Sequence, residues 1–106
     1  VLLPTGYAEA YADYVAQGWN AVAGPADFGG QGLPFTLACN VLENLGTANM
    51  AFTLLPILSV GAIEALAHHG SAAQQALYLP KLVSGEWSGT MNLTEPQAGS
   101  DVGALR

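Results

Sequence analysis

Residues 94–101 read Thr-Glu-Pro-Gln-Ala-Gly-Ser-Asp, and these types in this order could hold a polar ligand. Pro96 stiffens the chain, while Ala98 and Gly99 carry too little side chain to keep a ligand away from the backbone. Ser100 offers a hydroxyl and an N–H at the corner. Successive N–H groups in such a turn form a concavity suited to a phosphate. Thr94, at the end of an apolar run, can turn both its N–H and its Oγ toward a flat polar heterocycle. The plainer alternative is a proline turn in which Asp101 caps a local turn. Residue types alone leave both readings open.

Other reactive side chains point to less. His68 and His69 are adjacent, so a helix sends them to different faces, and no Cys or Asp accompanies them as a metal set would require. They read as a helix-end pair favoured by the dipole, with Glu64 one turn earlier able to meet His68. Cys39 lies among apolar residues with no base or cation beside it, so the expectation is a core thiol rather than a thiolate. Trp19 and Trp87 read as core anchors.

Four helices are expected to position the corner. The first covers residues 7–17, with Thr5 as N-cap and Gly18 as stop, and aligns Tyr7, Tyr11, Tyr14 and Val15 on one face. A glycine-rich loop follows over residues 18–34, where Gly29, Gly30 and Gly32 supply positive φ and close approaches. A second helix opens at Leu33 or Pro34 and stops at Gly46. It carries Phe35, Leu37, Ala38, Val41, Leu42 and Leu45 at helical spacing. The third runs from Met50 to His69 and is split by Pro56. Its Phe52, Leu54, Leu55, Ile57 and Leu58 are expected to be mostly core. Ser71 caps the fourth, which Pro80 kinks or ends. After Gly85 the period becomes two: Trp87, Gly89, Met91 and Leu93 alternate with Ser88, Thr90, Asn92 and Thr94, a strand pattern. The fold class is therefore all-α, ending in the first strand of a second, β-rich domain. Residues 1–86 form the helical domain and residues 87–106 begin the next.

Composition narrows the function. The 106 residues are 51% apolar and only 9% charged, with a formal charge of −6 and two cations, Lys81 and Arg106. A surface so poor in Lys and Arg argues against nucleic acid and against an anionic membrane. It is also a surface expected to be covered, by more polypeptide or by sister subunits. The apolar stretch from Met50 to Ala67 fails as a membrane span because Pro56, Thr53, Ser59 and Glu64 interrupt it. One cysteine suits a reducing compartment, and the expected setting is cytoplasmic, of bacterial type. The start at Val1 and the stop at Arg106 suggest a fragment.

The segment "MNLTEPQAGSD" resembles the signature of the acyl-CoA dehydrogenase family: an apolar residue, Thr or Ser, Glu, Pro, two variable positions, Gly, Ser or Thr, Asp. Upstream, "GWNAVAGPADFGGQGL" is similar to the family's Gly-Trp to Gly-Gly-x-Gly loop. "HHGSAAQQALYLPKLVSGEW" is similar to its Gln, Tyr-Leu-Pro and Gly-Glu segment. The wording "GTMNLTEPQAGSDVGALR" is most similar to the 3-methylmercaptopropionyl-CoA dehydrogenase-like branch.

The resemblance implies a helical domain, a middle β-domain and a C-terminal helical bundle, assembled as a homodimer or homotetramer, with FAD between the last two. It implies oxidation of an acyl-CoA thioester to a trans-2-enoyl-CoA, with electrons passed to an electron-transfer flavoprotein. Leu93 and Thr94 match positions that hydrogen-bond the flavin's pyrimidine side, and Met91 one that packs near the isoalloxazine. Gly99 belongs to the ligand-approach corner. Ser100 matches the hydroxyl that touches the FAD pyrophosphate and lies beside the substrate's CoA arm. Glu95 and Asp101 are read as structural. The family's catalytic carboxylate lies beyond residue 106, so no catalytic residue is assigned here and the 106 residues alone are expected to be inactive. Rival readings are a non-catalytic binding or stress-response scaffold of the same family and a free-standing helical adaptor.

Overall fold

The computed structural model describes residues 2–105, leaving Arg106, the second of the two cations, outside the described residues. Three α-helices dominate: α1 (Tyr7–Ala16), α2 (Phe35–His69) and α3 (Ala72–Val83). Short 3-10 turns at Trp19–Ala21, Ala26–Phe28 and Val102–Ala104 punctuate the connections.

The first helix forms where its period requires, but its N-cap is Gly6 in the left-handed region, not Thr5. Pro4 presents its carbonyl to the Tyr7 N–H at 3.1 Å, and this turn replaces a side-chain cap. The tyrosine stripe meets α2. Tyr7 and Tyr14 pack on Phe52 with ring centroids 5.3 and 6.0 Å away, the second edge-on, a favoured aromatic geometry.

The two helices expected on either side of Gly46 form one run from Phe35 to His69 with a kink: the second arm opens at Met50 as expected, while the first continues past Gly46. The backbone does leave helical geometry once, at Asn49 (φ −158°, ψ 98°). The Asn49 Oδ1 accepts the N–H of Phe52 at 3.1 Å, the bond an N-cap makes three residues ahead. Asn49 thus ends one arm and caps the next. Gly46 stays inside the helix because nothing supplies a competing set of hydrogen bonds there. Pro56 does not split the helix either. Its ring is buried in line with Phe52 and Ile63, so apolar packing offsets the lost N–H bond. Pro80 is likewise carried within α3, close to its end.

By length and hydropathy α2 would pass as a membrane span (mean hydropathy 1.8). Its backbone is broken at Asn49, however, and its Phe52, Pro56 and Ile63 side is buried inside the fold.

Ser71 opens α3 with a reciprocal capping box: its Oγ accepts from Gln74 N at 3.3 Å and Gln74 Oε1 accepts from Ser71 N at 2.8 Å. Gln75 closes the preceding helix, its Nε2 lying 3.1 Å from the carbonyls of Leu66, Ala67 and Gly70. The helices meet in a core of Ile63, Leu79, Leu82 and Val83, with Leu79 and Val83 fully buried. Phe28 from the glycine-rich loop packs on it. In that loop Gly29 and Gly32 hold positive φ, while Gly30 serves close approach, since a Cβ there would collide with the Gly24 carbonyl.

Several apolar residues lie farther out than their sequence pattern predicts. Cys39 is exposed, as are Phe35 and Leu37, while Ala38 turns inward. Trp19 and Trp87 are about half exposed rather than core. Of the α2 set, Phe52 is buried, but Leu54 and Ile57 face outward. The strand expected after Gly85 is absent among the described residues. Residues 88–94 carry no regular secondary structure, because a strand needs a hydrogen-bonding partner and none of the described residues supplies one.

Two outcomes are expected. Asn49→Ala removes the mid-helix cap and should destabilise the intact protein by about 1 kcal/mol, while Asn49→Asp, which keeps the acceptor, should not; thermal unfolding reads both. Burial, with a smaller push from Tyr11, raises the Tyr14 phenol from 10.0 to about 12. The unfolded chain then loses this proton first, so stability should fall as pH rises from about 10 to about 12. Tyr14→Phe should flatten the alkaline limb of melting temperature against pH.

Candidate functional site

The route to the corner begins at the C-terminal end of α3. Gly85 turns the chain with φ 78°, and a Cβ there would stand 2.7 Å from Val15 Cγ2 of α1. The Gly85 carbonyl accepts from the Tyr11 hydroxyl at 3.1 Å, and the Val83 carbonyl accepts from Asn20 Nδ2 at 2.6 Å. Orphan carbonyls at the helix end are thereby satisfied from two other elements. Trp87 then folds back: its N–H donates to the Lys81 carbonyl at 3.0 Å and its ring lies 6.2 Å from that of Tyr78. The Lys81 ammonium stands 5.1 Å over the Trp87 ring and 2.7 Å from Glu86 Oε1. Lys81 is the one Lys or Arg among the described residues, and its charge is engaged here.

Beyond Trp87 the chain crosses α2 at Gly89, which is buried against Leu58, Ser59 and Ala62. Past the crossing, Thr90, Met91, Asn92 and Leu93 form one wall of an open groove of about 640 Å³. Ile57, Leu58, Gly61, Ala62 and Ala65 of α2 form the other. Met91 and Leu93 are both largely exposed in it, at 64% and 44%. The chain then doubles back. Glu95 and Ala98 exchange backbone hydrogen bonds, N–H to carbonyl at 2.8 and 3.1 Å, across Pro96 and Gln97. Glu95 therefore serves the turn through its backbone.

This hairpin-like turn brings Thr94 onto Gly99. A Cβ at Gly99 would stand 2.9 Å from Thr94 Cγ2 and 3.1 Å from its Oγ1, so only glycine lets the two meet this closely. Ser100 follows, exposed at the rim, and Asp101 precedes the short turn of residues 102–104, its carbonyl accepting from Ala104 N at 3.1 Å. Of the sequence-derived residues, Thr94, Gly99 and Ser100 share one corner, while Met91 and Leu93 lie on the groove leading to it.

The residue types present fit a flavin nucleotide: apolar groove walls for a flat ring system, hydroxyls at Thr94 and Ser100 on the segment that follows, and a small-residue corner at Gly99 for a diphosphate. No Lys or Arg other than Lys81 is present among the described residues, so an anion here would be met by N–H and hydroxyl donors. No cluster of three His, Cys, Asp or Glu exists among the described residues. His68 pairs instead with Glu64, Nε2 to Oε2 at 3.3 Å.

Sequence reasoning does not anticipate that Gly89 is buried against Ser59 and Ala62 of α2. The one signal it offers is an isolated glycine inside a strand-like alternation, which marks close backbone approach.

Known proteins share most of this chain. Residues 5–86 match the family described as "Acyl-CoA dehydrogenase, N-terminal domain". The 3-methylmercaptopropionyl-CoA dehydrogenase of Ruegeria pomeroyi is 52% identical over 106 residues, which are all of this chain and 18% of that protein. The mitochondrial isovaleryl-CoA dehydrogenase of Oryza sativa is 37% identical over 92 residues, 82% of this chain and 22% of its own length. A butyryl-CoA dehydrogenase of Syntrophomonas wolfei is 40% identical over 73 residues, 69% of this chain and 12% of its own length. The chain thus spans between 12% and 22% of the length of these relatives. The matched segment contains all three helices up to the turn at Glu86, and one relative follows the sequence on through the Thr94 to Ser100 corner: the chain belongs to the acyl-CoA dehydrogenase family.

Proposed function

We propose that this chain supplies the helical wall and the first flavin-binding segment of an FAD-dependent acyl-CoA dehydrogenase, which oxidises an acyl-CoA thioester to the trans-2-enoyl-CoA. In this reading residues 1–86 are the helical domain and residues 87–106 begin the middle domain. One observation carries it. The turn closed by Glu95 and Ala98 seats Thr94 against Gly99, one residue after Leu93, the last groove-lining residue of this segment.

FAD, when bound, supplies the hydride acceptor; the chain's own residues bind it and orient it. The Leu93 N–H and the Thr94 N–H and Oγ donate toward the pyrimidine edge, where reduction builds negative charge. Donors fixed in advance stabilise that charge without reorganising at the moment of reaction. Met91 packs along the ring system. Gly99 leaves the backbone bare so that a diphosphate can approach, and the Ser100 hydroxyl donates to it beside the CoA arm of the substrate. The Ile57, Leu58 and Ala62 side of the groove excludes water from the apolar portion. An α-proton must also be taken by a carboxylate, and none is nominated in this chain, so residues 1–106 on their own should bind weakly and turn over nothing. Electron transfer to an electron-transfer flavoprotein, assembly as a homodimer or homotetramer, and a bacterial-type cytoplasmic setting belong to the same proposal. The exposed apolar residues Leu54 and Ile57 of α2 support the assembly, and family membership supports the acyl-CoA substrate class.

Thr94→Val keeps the shape and removes the hydroxyl. A hydrogen bond to a charged group contributes about 1.5–3 kcal/mol, so FAD should dissociate at least roughly tenfold more readily and its midpoint potential should move negative. Titration of the intact apoprotein with FAD, followed by flavin absorbance, measures the first; a redox titration measures the second. Wild-type values for both would remove Thr94 from the site.

A further inference from the structure

The segment that carries Leu93 and Thr94 has few attachments of its own. Among the described residues, no backbone hydrogen bond holds residues 90–94 to the rest of the fold. What ties them to the helices is the crossing at Gly89; the turn at Glu95 and Ala98 is bonded only within itself. At that crossing the Gly89 N–H donates to the Ser59 Oγ at 3.1 Å, and the Ser59 hydroxyl in turn donates to the Leu55 carbonyl at 3.2 Å. The hydroxyl can do both because an O–H is at once donor and acceptor. Gly89 is buried, and a Cβ there would stand 2.5 Å from Ala62 Cβ and 3.2 Å from the Leu58 carbonyl. The close approach is therefore a requirement of the bond, and the bond satisfies an N–H that burial would otherwise leave unpaired.

We infer that Ser59 is a positioning residue: through Gly89 it sets the depth and register at which Leu93 and Thr94 stand over the groove wall of α2. The inference rests on the flavin reading of the corner. The geometry is a chain of two hydrogen bonds, from the Leu55 carbonyl to the Ser59 hydroxyl to the Gly89 N–H, with Leu93 four residues on. The same α2 turn that holds the hydroxyl also supplies Ile57, Leu58, Gly61 and Ala62 to the groove. Wall and donors are thus referenced to one helix. Loss of the hydroxyl frees the Gly89 N–H to seek water and lets the segment lift or slide. The donors at Leu93 and Thr94 would then lose their alignment toward a bound flavin.

The test uses the full-length, flavin-loaded protein and four forms: wild type, Ser59→Ala, Ser59→Thr and Gly89→Ala. Ser59→Ala should weaken FAD binding about three- to tenfold, as expected for one buried hydrogen bond, and should shift the flavin midpoint potential negative. Ser59→Thr, which keeps the hydroxyl, should restore both. Gly89→Ala should reproduce the Ser59→Ala loss or exceed it. If Ser59→Ala binds FAD with wild-type affinity and potential, or if Ser59→Thr is as impaired as Ser59→Ala, the positioning role is overturned while the flavin site stands. If the wild-type apoprotein takes up no FAD, the flavin reading itself fails. A fall in melting temperature alone, with affinity and potential unchanged, also counts against the inference, since packing would account for it.

Discussion

Burial of Leu79 and Val83 against Ile63 is the constraint on which the remaining geometry depends. These two side chains are removed from water completely, and at roughly 1.5–3 kcal/mol for a fully buried aliphatic they anchor α3 on the C-terminal arm of α2. Once α3 is fixed, so is the point at which the chain leaves it. Tyr11 and Asn20 then take up the carbonyls of Gly85 and Val83, which ties the helix end to α1 and to the glycine-rich loop. The direction of residues 86–89 follows, and with it the crossing over α2. The corner that holds Thr94 and Ser100 is thus located by a core that none of its own residues joins.

The glycine-rich loop contributes in a less direct way. Gly30 lies against Gly24, and the Gly24 carbonyl accepts from Gly32 N at 3.0 Å, so the loop folds on itself tightly enough to bring Phe28 onto the core. Gln31 Nε2 donates to the Gly18 carbonyl at 2.8 Å and closes the other side. The loop is a spacer of defined shape between α1 and α2. This explains why so many glycines stand in a segment that carries no proposed ligand contact.

The helices are legible in the sequence because their signals are local. Ser71 with Gln74 three residues later is a complete capping box, and Gly18 and Gly70 stand where helices end. Sequence and structure part where a local rule meets a competing interaction. Gly46 and Pro56 look like breaks, but the break falls at Asn49, because that side chain carries its own acceptor for the next turn. Pro56 is retained by the packing around it. Cys39 and Leu37 look like core because the first arm of α2 is apolar on more than one face, so periodicity does not choose the buried side. The strand pattern after Gly85 is real as a pattern, yet pairing is a property of two segments and cannot be read from one. The corner itself is legible through residue types, Thr94 and Gly99 above all, whereas Ser59 is not. Its role exists only because Gly89 arrives beside it from 30 positions away.

The low charge of the chain bears on how the site would respond to its ligand. Met91, Leu93, Leu54 and Ile57 are about half exposed or more, and three of them line the groove. Apolar area left facing water contributes nothing to the stability of the segment that carries it, and the hydrogen bond that ties this segment to α2 is the one at Gly89. Covering that area at about 25 cal/mol per Å² would favour the bound arrangement before any hydrogen bond is counted. A flat ring system seated in the groove would order the same backbone donors that recognise its polar edge. By mass action, such a ligand stabilises the fold that binds it. Apolar cover and polar recognition are then one event, and the corner becomes well formed to the extent that the groove is filled.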